Sequence, residues 1–397
     1  MALLTKTPAA KAAASGPTIE VPPRYGGLHG LIGVHPALVA LVIAGFVYPA
    51  IANDYWTFNV TVGLILGMAC LGLLVVVGWG REISLAQAGL TGSALYISGY
   101  MARGGKEGEA GPDLPFPIAA LVGIAFVVAV SAVVALISMR LSGVYVIVLT
   151  LSLQFLLENS LFTKEKLTGG LSAPSTPRPN FFGMSMESDK RFYFYILGVL
   201  VVSIMLLHRF RNSRFGRSLI LVGSDKSAAA AVGVSPWMYK VAAFSIAGVF
   251  AGLAGALSAP LYRNPPGILQ YLSFSSLFYV SIPILAGFES LLNVVAIAVG
   301  FNVITQLLVD QKINPQILGG IGLTIGVLAG PRGMGGATAD LFDARARAKR
   351  KAAKAAGVKR PGRPQKRPSG APPRTARAKG SQLGAKRPPV SAGSEKK

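Results

Sequence analysis

Gly223-Ser224-Asp225-Lys226-Ser227 has the composition of a nucleotide cradle but not its spacing. A phosphate-binding loop needs two glycines bracketing four residues, then Lys-Ser or Lys-Thr at a helix start, so that successive N–H groups close around the phosphates. That pattern is absent from the sequence, so the chain does not hydrolyse ATP by this device. It also lacks a GxSxG nucleophile elbow and an HExxH zinc motif. The three histidines (His29, His35 and His208) are too scattered for a metal cluster, and the single cysteine, Cys70, has no partner in the chain. Glu158, Glu289 and Asp310 fall near the ends of apolar runs, where headgroup contact accounts for them without a paired-carboxylate site. No catalytic residue, cofactor or metal is therefore expected.

The same stretch can act mechanically. Ser224 or Asp225 can cap the free N–H groups of a helix start, and Asp225 suits the positive end of the helix dipole. Four alanines, Ala228 to Ala231, make the body, and Gly233 can take the left-handed conformation that stops it. A helix over 224–233 falls well short of the ~12–15 residues an isolated helix needs. Small and smooth, it is suited to lying in the groove of another protein.

The elements that must position it are apolar. Hydrophobic residues make up 52% of the chain and charged residues 14%, with a mean hydropathy of +0.52. Soluble domains carry about 25% charged residues, so lipid is the main solvent here. Because about 20 helical residues cross a ~30 Å hydrocarbon core, the apolar runs predict spans at 36–53, 58–78, 84–102, 116–138, 143–161, 193–208, 239–260, 273–288, 291–309 and 318–331. The expected fold is an all-α polytopic transmembrane bundle of about ten spans, between eight and twelve. Ser, Gly and Pro interrupt 84–102 and 262–290, which reads as broken or re-entrant helix.

Three regions follow. Residues 1–35 form an N-terminal segment without a convincing signal-cleavage site, 36–335 the membrane domain, and 336–397 a basic tail. From Asp340 onward the tail holds 18 Lys/Arg against 3 Asp/Glu and almost no large apolar residues, a composition expected to be disordered. No aromatic side chains interleave with its charges, so anionic lipid rather than specific nucleic acid is its expected partner. An even number of spans puts both termini on one side. The positive-inside rule makes that side cytoplasmic, together with the connection 209–238 that carries Arg209, Arg211, Arg214, Arg217 and Lys226.

At this point a resemblance becomes specific. Ser213-Arg214-Phe215-Gly216-Arg217, the alanine helix ending at Gly233, Tyr239-Lys240, and the Gly/Ala-rich run Ala247 to Leu257 resemble the coupling region of LivM-type permeases of branched-chain amino acid ABC importers. Gly78-Trp79 with Ile83 to Ala88, Arg140-Leu141-Ser142-Gly143-Val144-Tyr145 with Thr150-Leu151, Thr168-Gly169-Gly170, and Pro331-Arg332-Gly333 resemble further elements of that family, in its order. Arg81-Glu82 depart from the pattern, standing where the family usually shows Gly-Gln.

The resemblance implies a permease subunit of an importer in the bacterial cell (inner) membrane that moves branched-chain amino acids or related small neutral solutes. The implied partners are two ATP-binding subunits, a homologous second permease and an extracytoplasmic solute-binding protein. Contact with the ATPases would fall to Arg214, Phe215, Gly216, Arg217, Ser224, Asp225, Ala228, Ala229 and Gly233. Ser84, Gln87, Tyr145, Thr150, Gly169 and Gly170 are the candidates for the solute pathway, and Gly248, Gly252 and Gly255 for helix packing. Permeases for urea or short amides, and secondary transporters working without ATP, are the alternatives.

Overall fold

The computed structural model describes residues 36–103, 111–141, 143–168, 184–262, 268–288 and 290–311, together with 176, 178, 180, 181, 320–322, 324 and 328. The N-terminal segment 1–35, Ser142, Gly169, Gly170, Glu289, most of 318–331, the Pro331-Arg332-Gly333 element and the basic tail lie outside the described residues.

The described residues are almost entirely helical. In chain order the helices are α1 (Pro36–Ile51), α2 (Asp54–Leu74, continued by a π-helical turn, Val75–Trp79), α3 (Gln87–Ala102), α4 (Phe116–Ser138), α5 (Val144–Ser160), α6 (Asp189–Asn212), α7 (Arg214–Ser224), α8 (Lys226–Ala231), α9 (Pro236–Tyr262), α10 (Ser273–Ala286) and α11 (Leu291–Asp310). A helical turn at Glu165–Thr168, a two-residue hairpin (Asn180–Phe181 with Met184–Ser185) and a 3₁₀ turn at Ile268–Tyr271 complete the order. Five helices are long and apolar enough to cross a membrane: Asp54–Trp79, Phe116–Ser138, Asp189–Asn212, Pro236–Tyr262 and Leu291–Val309. Val144–Ser160 and Ser273–Ala286 are shorter apolar helices.

The helices start and stop where local chemistry dictates. Pro115 and Pro117 open α4, where a missing N–H leaves no bond unmade. Gly143 (φ 59°) precedes α5 and Gly287 (φ 81°) ends α10, both in the left-handed region that glycine enters without strain. Helix α2 is the axis, with 89% of its apolar window buried, and α9 and α11 pack along it. Helix α9 also packs against α3 and α4. The outward faces of α4 (Leu121, Val133, Ile137) and α6 (Val202, Leu206) are exposed and apolar, as lipid-facing surfaces must be.

The expected connection 209–238 needs one correction. It is no open loop up to residue 224, because Arg214–Ser224 is helical. Ser213 caps this helix, its Oγ accepting from Gly216 N at 3.1 Å, and Gly216, Leu219 and Val222 form its buried face with the half-buried Phe215 beside them. The alanine helix itself is Lys226–Ala231, shorter than the expected 224–233.

Candidate functional site

The basic connection is assembled from the cap upward. Asp225 Oδ1 accepts from Ser227 N (2.8 Å), Ala228 N (3.1 Å) and Ser227 Oγ (2.6 Å), which closes the free end of α8. The Ser227 hydroxyl, then these two N–H groups, hold the Asp225 carboxyl below the usual carboxylate range. At the other end Gly233 has φ 81°, its N–H donates to Ala230 O (3.0 Å), and Val234 N–H donates to Ala229 O (3.0 Å). That paired arrangement is a Schellman stop. Ala229 is buried against the protein, whereas Ala228, Ala230 and Gly233 are exposed, so the smooth face looks outward.

Helix α7 fixes α8 to the bundle. Phe215 stacks between Phe210 (5.7 Å between centroids) and Tyr239 (4.4 Å). Gly216 is buried, and a Cβ there would lie 2.2 Å from Phe210 O. Arg217 donates to Asn212 O (2.8 Å) and Ser224 Oγ to Ile220 O (2.9 Å); Arg214 and Arg217 are exposed. The nine residues expected to meet a partner thus form one continuous structure.

A further group of charges sits beside this helix. Glu82, just beyond the π turn, pairs through Oε1 with Lys226 Nζ and through Oε2 with Lys240 Nζ, both at 2.9 Å. Lys240 also donates to Ser138 O (2.7 Å) and Leu141 O (3.1 Å) at the end of α4.

Of the candidate pathway residues, Ser84, Gln87 and Thr150 come together and are buried. Thr150 Oγ1 accepts from Leu85 N (3.0 Å) and Gln87 Nε2 donates to Ala69 O (2.9 Å), joining α2, α3 and α5. Tyr145 lies apart, 70% exposed on α5. Their neighbour Gln154 makes four side-chain hydrogen bonds. Its Oε1 accepts from Gly89 N (2.8 Å) and Ser276 Oγ (2.9 Å), and its Nε2 donates to Tyr271 O (2.7 Å) and Glu158 Oε1 (2.9 Å). The bonds to Gly89, Ser276 and Tyr271 tie α5 to both interrupted segments that the sequence marked as broken.

None of Ser84, Gln87, Tyr145, Thr150 and Gln154 borders the larger cavity, of about 680 Å³. It lies among α2, α9, α10 and α11. Its walls include Phe58, Tyr262, Tyr271, Phe274 and Phe278, and its polar groups are Asn59, Ser258, Gln270, Ser275, Asn302, Thr305 and Gln306. Asn302 Nδ2 donates to Asn59 O (2.7 Å) and Gln306 Nε2 to Tyr55 Oη (2.9 Å). Thr305 Oγ1 is buried without a hydrogen-bond partner. Among the described residues, no Asp, Glu, Lys, Arg or His lines the space. Aromatic walls with amide and hydroxyl groups suit a small solute of no net charge.

The three packing glycines serve two interfaces. A Cβ on Gly248 would meet Ser131 Cβ at 2.8 Å and one on Gly252 would meet Ile124 Cα at 2.9 Å, both on α4. A Cβ on Gly255 would lie 2.1 Å from Thr91 O on α3.

Residues 56–329 match the family described as "Branched-chain amino acid transport system / permease component". The chain is 26% identical over 312 residues to the "High-affinity branched-chain amino acid transport system permease protein LivM" of Escherichia coli (strain K12), covering 72% of this chain and 71% of that protein. The protein of the same name from Salmonella typhimurium matches with the same identity and coverage. No solved structure matches the chain.

Proposed function

Because the chain belongs to the branched-chain amino acid transport permease family, whose members are non-catalytic membrane subunits, we propose that it forms half of a solute pathway driven by separate ATPases. The observation that carries this is α8: a capped, Schellman-closed, alanine-surfaced helix held outward on α7, with the shape of a docking element and no chemistry of its own. Two ATP-binding subunits grip α8 and its counterpart on a homologous second permease, and a binding protein delivers the solute on the far face. The chain crosses the bacterial cell membrane about ten times with both termini in the cytoplasm, and needs no cofactor. The solute is a branched-chain amino acid or a related small neutral molecule. The uncharged cavity supports that class and equally suits urea or short amides.

The test is uptake of radiolabelled leucine, valine and urea into proteoliposomes holding the permease pair, with and without the ATPases. Uptake only with ATP and ATPases is expected. Concentrative uptake by the permeases alone would favour an ATP-independent transporter and overturn the proposal.

A further inference from the structure

Glu82 stands between the outward helix α8 and the membrane bundle, and its two carboxylate oxygens are divided between them. Oε1 holds Lys226, the first residue of α8, and Oε2 holds Lys240 on α9. Lys240 carries the connection on to the last carbonyls of α4. The two arms differ in a way that matters. The Lys240 side chain is 9% exposed, as is that of Glu82, so that ion pair is costly to break: stripping one partner from a buried pair strands a charge. The Lys226 side chain is 51% exposed, and such a pair is weak, screened and readily remade. The backbone is bent to make the arrangement. Arg81, immediately before Glu82, has φ 52°, a conformation uncommon outside glycine and a form of strain that collects at working sites. A cavity of about 230 Å³ bordered by Glu82, Lys226, Trp237 and Lys240 leaves room for the outer arm to shift.

We propose that Glu82 is the positioning residue that passes movement of α8 to the bundle, with Lys240 as its fixed anchor and Lys226 as its releasable clasp. The inference rests on the importer reading in taking α8 as the element the ATPases move.

Two measurements test it, both in a Cys70→Ala background. In the first, a spin label at Ala228→Cys reports the mobility of α8 in the full-length permease in nanodiscs. Glu82→Gln and Lys226→Met should each free the label, and Glu82→Asp should restore most of the restraint. In the second, the permease–ATPase complex in proteoliposomes is scored for leucine taken up per ATP hydrolysed. Glu82→Gln and Lys226→Met should lower that ratio at least tenfold while ATP hydrolysis continues, a separation that a merely structural role would not give. Raising salt toward 1 M, where the Debye length falls to about 3 Å, should lower the ratio in the wild type and not in Glu82→Gln. Unchanged label mobility would overturn the clasp, and a freed label with an unchanged ratio would overturn transmission. Wild-type uptake that needs no ATP would overturn the importer reading and this inference with it; that outcome is distinguishable because the wild type itself then fails.

Discussion

Replacing Gly248, Gly252 and Gly255 by alanine, one at a time, tests whether contact between backbones holds α9 in place. A new Cβ at 255 would sit 2.1 Å from the Thr91 carbonyl oxygen and 2.7 Å from Ala94 Cβ. Ordinary contact begins near 3.4 Å, so α3 and α9 must part by about 1.3 Å, and a helix carbonyl cannot rotate aside. At 252 and 248 the nearest carbons lie 2.9 and 2.8 Å away, so a separation of about half an ångström suffices. Overpacking a tight core typically costs 1–3 kcal/mol, and alanine returns up to about 1 kcal/mol of helix propensity over glycine. The expected net losses are therefore about 2 kcal/mol or more at 255 and about 1 kcal/mol at 252 and 248. Gly198 on α6 is the control: nothing lies within 4 Å of a Cβ there, so Gly198→Ala should be neutral or stabilising. Thermal unfolding of each purified variant in one lipid nanodisc gives the order. Gly255→Ala melting no lower than Gly252→Ala, or Gly198→Ala melting lowest, would refute the reasoning.

Four further outcomes are expected. Gly233→Trp should leave folding intact, since nothing lies within 4 Å of a Cβ there, yet abolish ATPase co-purification through backbone strain and bulk on the docking face. The Asp225 carboxyl lies below its unfolded value, so its cap is fully made above the ordinary carboxylate range and is lost as pH falls through the lower folded value; a spin label on α8 should loosen only in strong acid, and in Asp225→Asn that step should vanish. Thr305→Val removes a buried hydroxyl that bonds nothing in the protein, so melting should hold or rise, while the KM for leucine uptake should rise about two- to tenfold if the hydroxyl meets the solute. Gln154→Leu strands several buried partners at about 1–3 kcal/mol each and should melt well below the wild type, whereas Thr305→Val should not.

The helix boundaries were legible because lipid leaves the backbone no alternative: an apolar run must bond to itself, and ends where Gly, Pro or Asp stops it. Spans expected at 116–138 and 291–309 coincide almost residue for residue with α4 and α11. The short-helix reading also carried detail, since Asp225 does cap it and Gly233 does turn left-handed. What stayed hidden depends on contacts across long separations. Glu82 and Lys226 are 144 residues apart, and no local pattern pairs them. The cavity gathers amides from α2, the 3₁₀ turn at Ile268–Tyr271 and α11, each unremarkable in its own run. Helix α7 was missed for another reason: Phe215, Leu219 and Val222 are at helical spacing, but the arginines around them read as loop.

The two sites found only in three dimensions share the same two helices. On α2, Phe58 to Leu66 border the large cavity, and Glu82 follows its last turn. On α9, Ser258 borders the cavity and Lys240 holds Glu82, about 18 residues or about 27 Å away along the axis. Between these ends the pair is closely packed: a Cβ on Gly72 would lie 2.6 Å from Phe250 Cβ and 3.1 Å from Ala247 Cα. Helices in such contact cannot slide past one another without breaking it, because packed interiors resist small shears. Under the proposal for Glu82, a force delivered there would tilt α2 and α9 as one body, and the wall they present to the cavity would move with them. On the importer reading, this is how a subunit with no nucleotide site of its own converts the closing of its ATPases into a change at the solute.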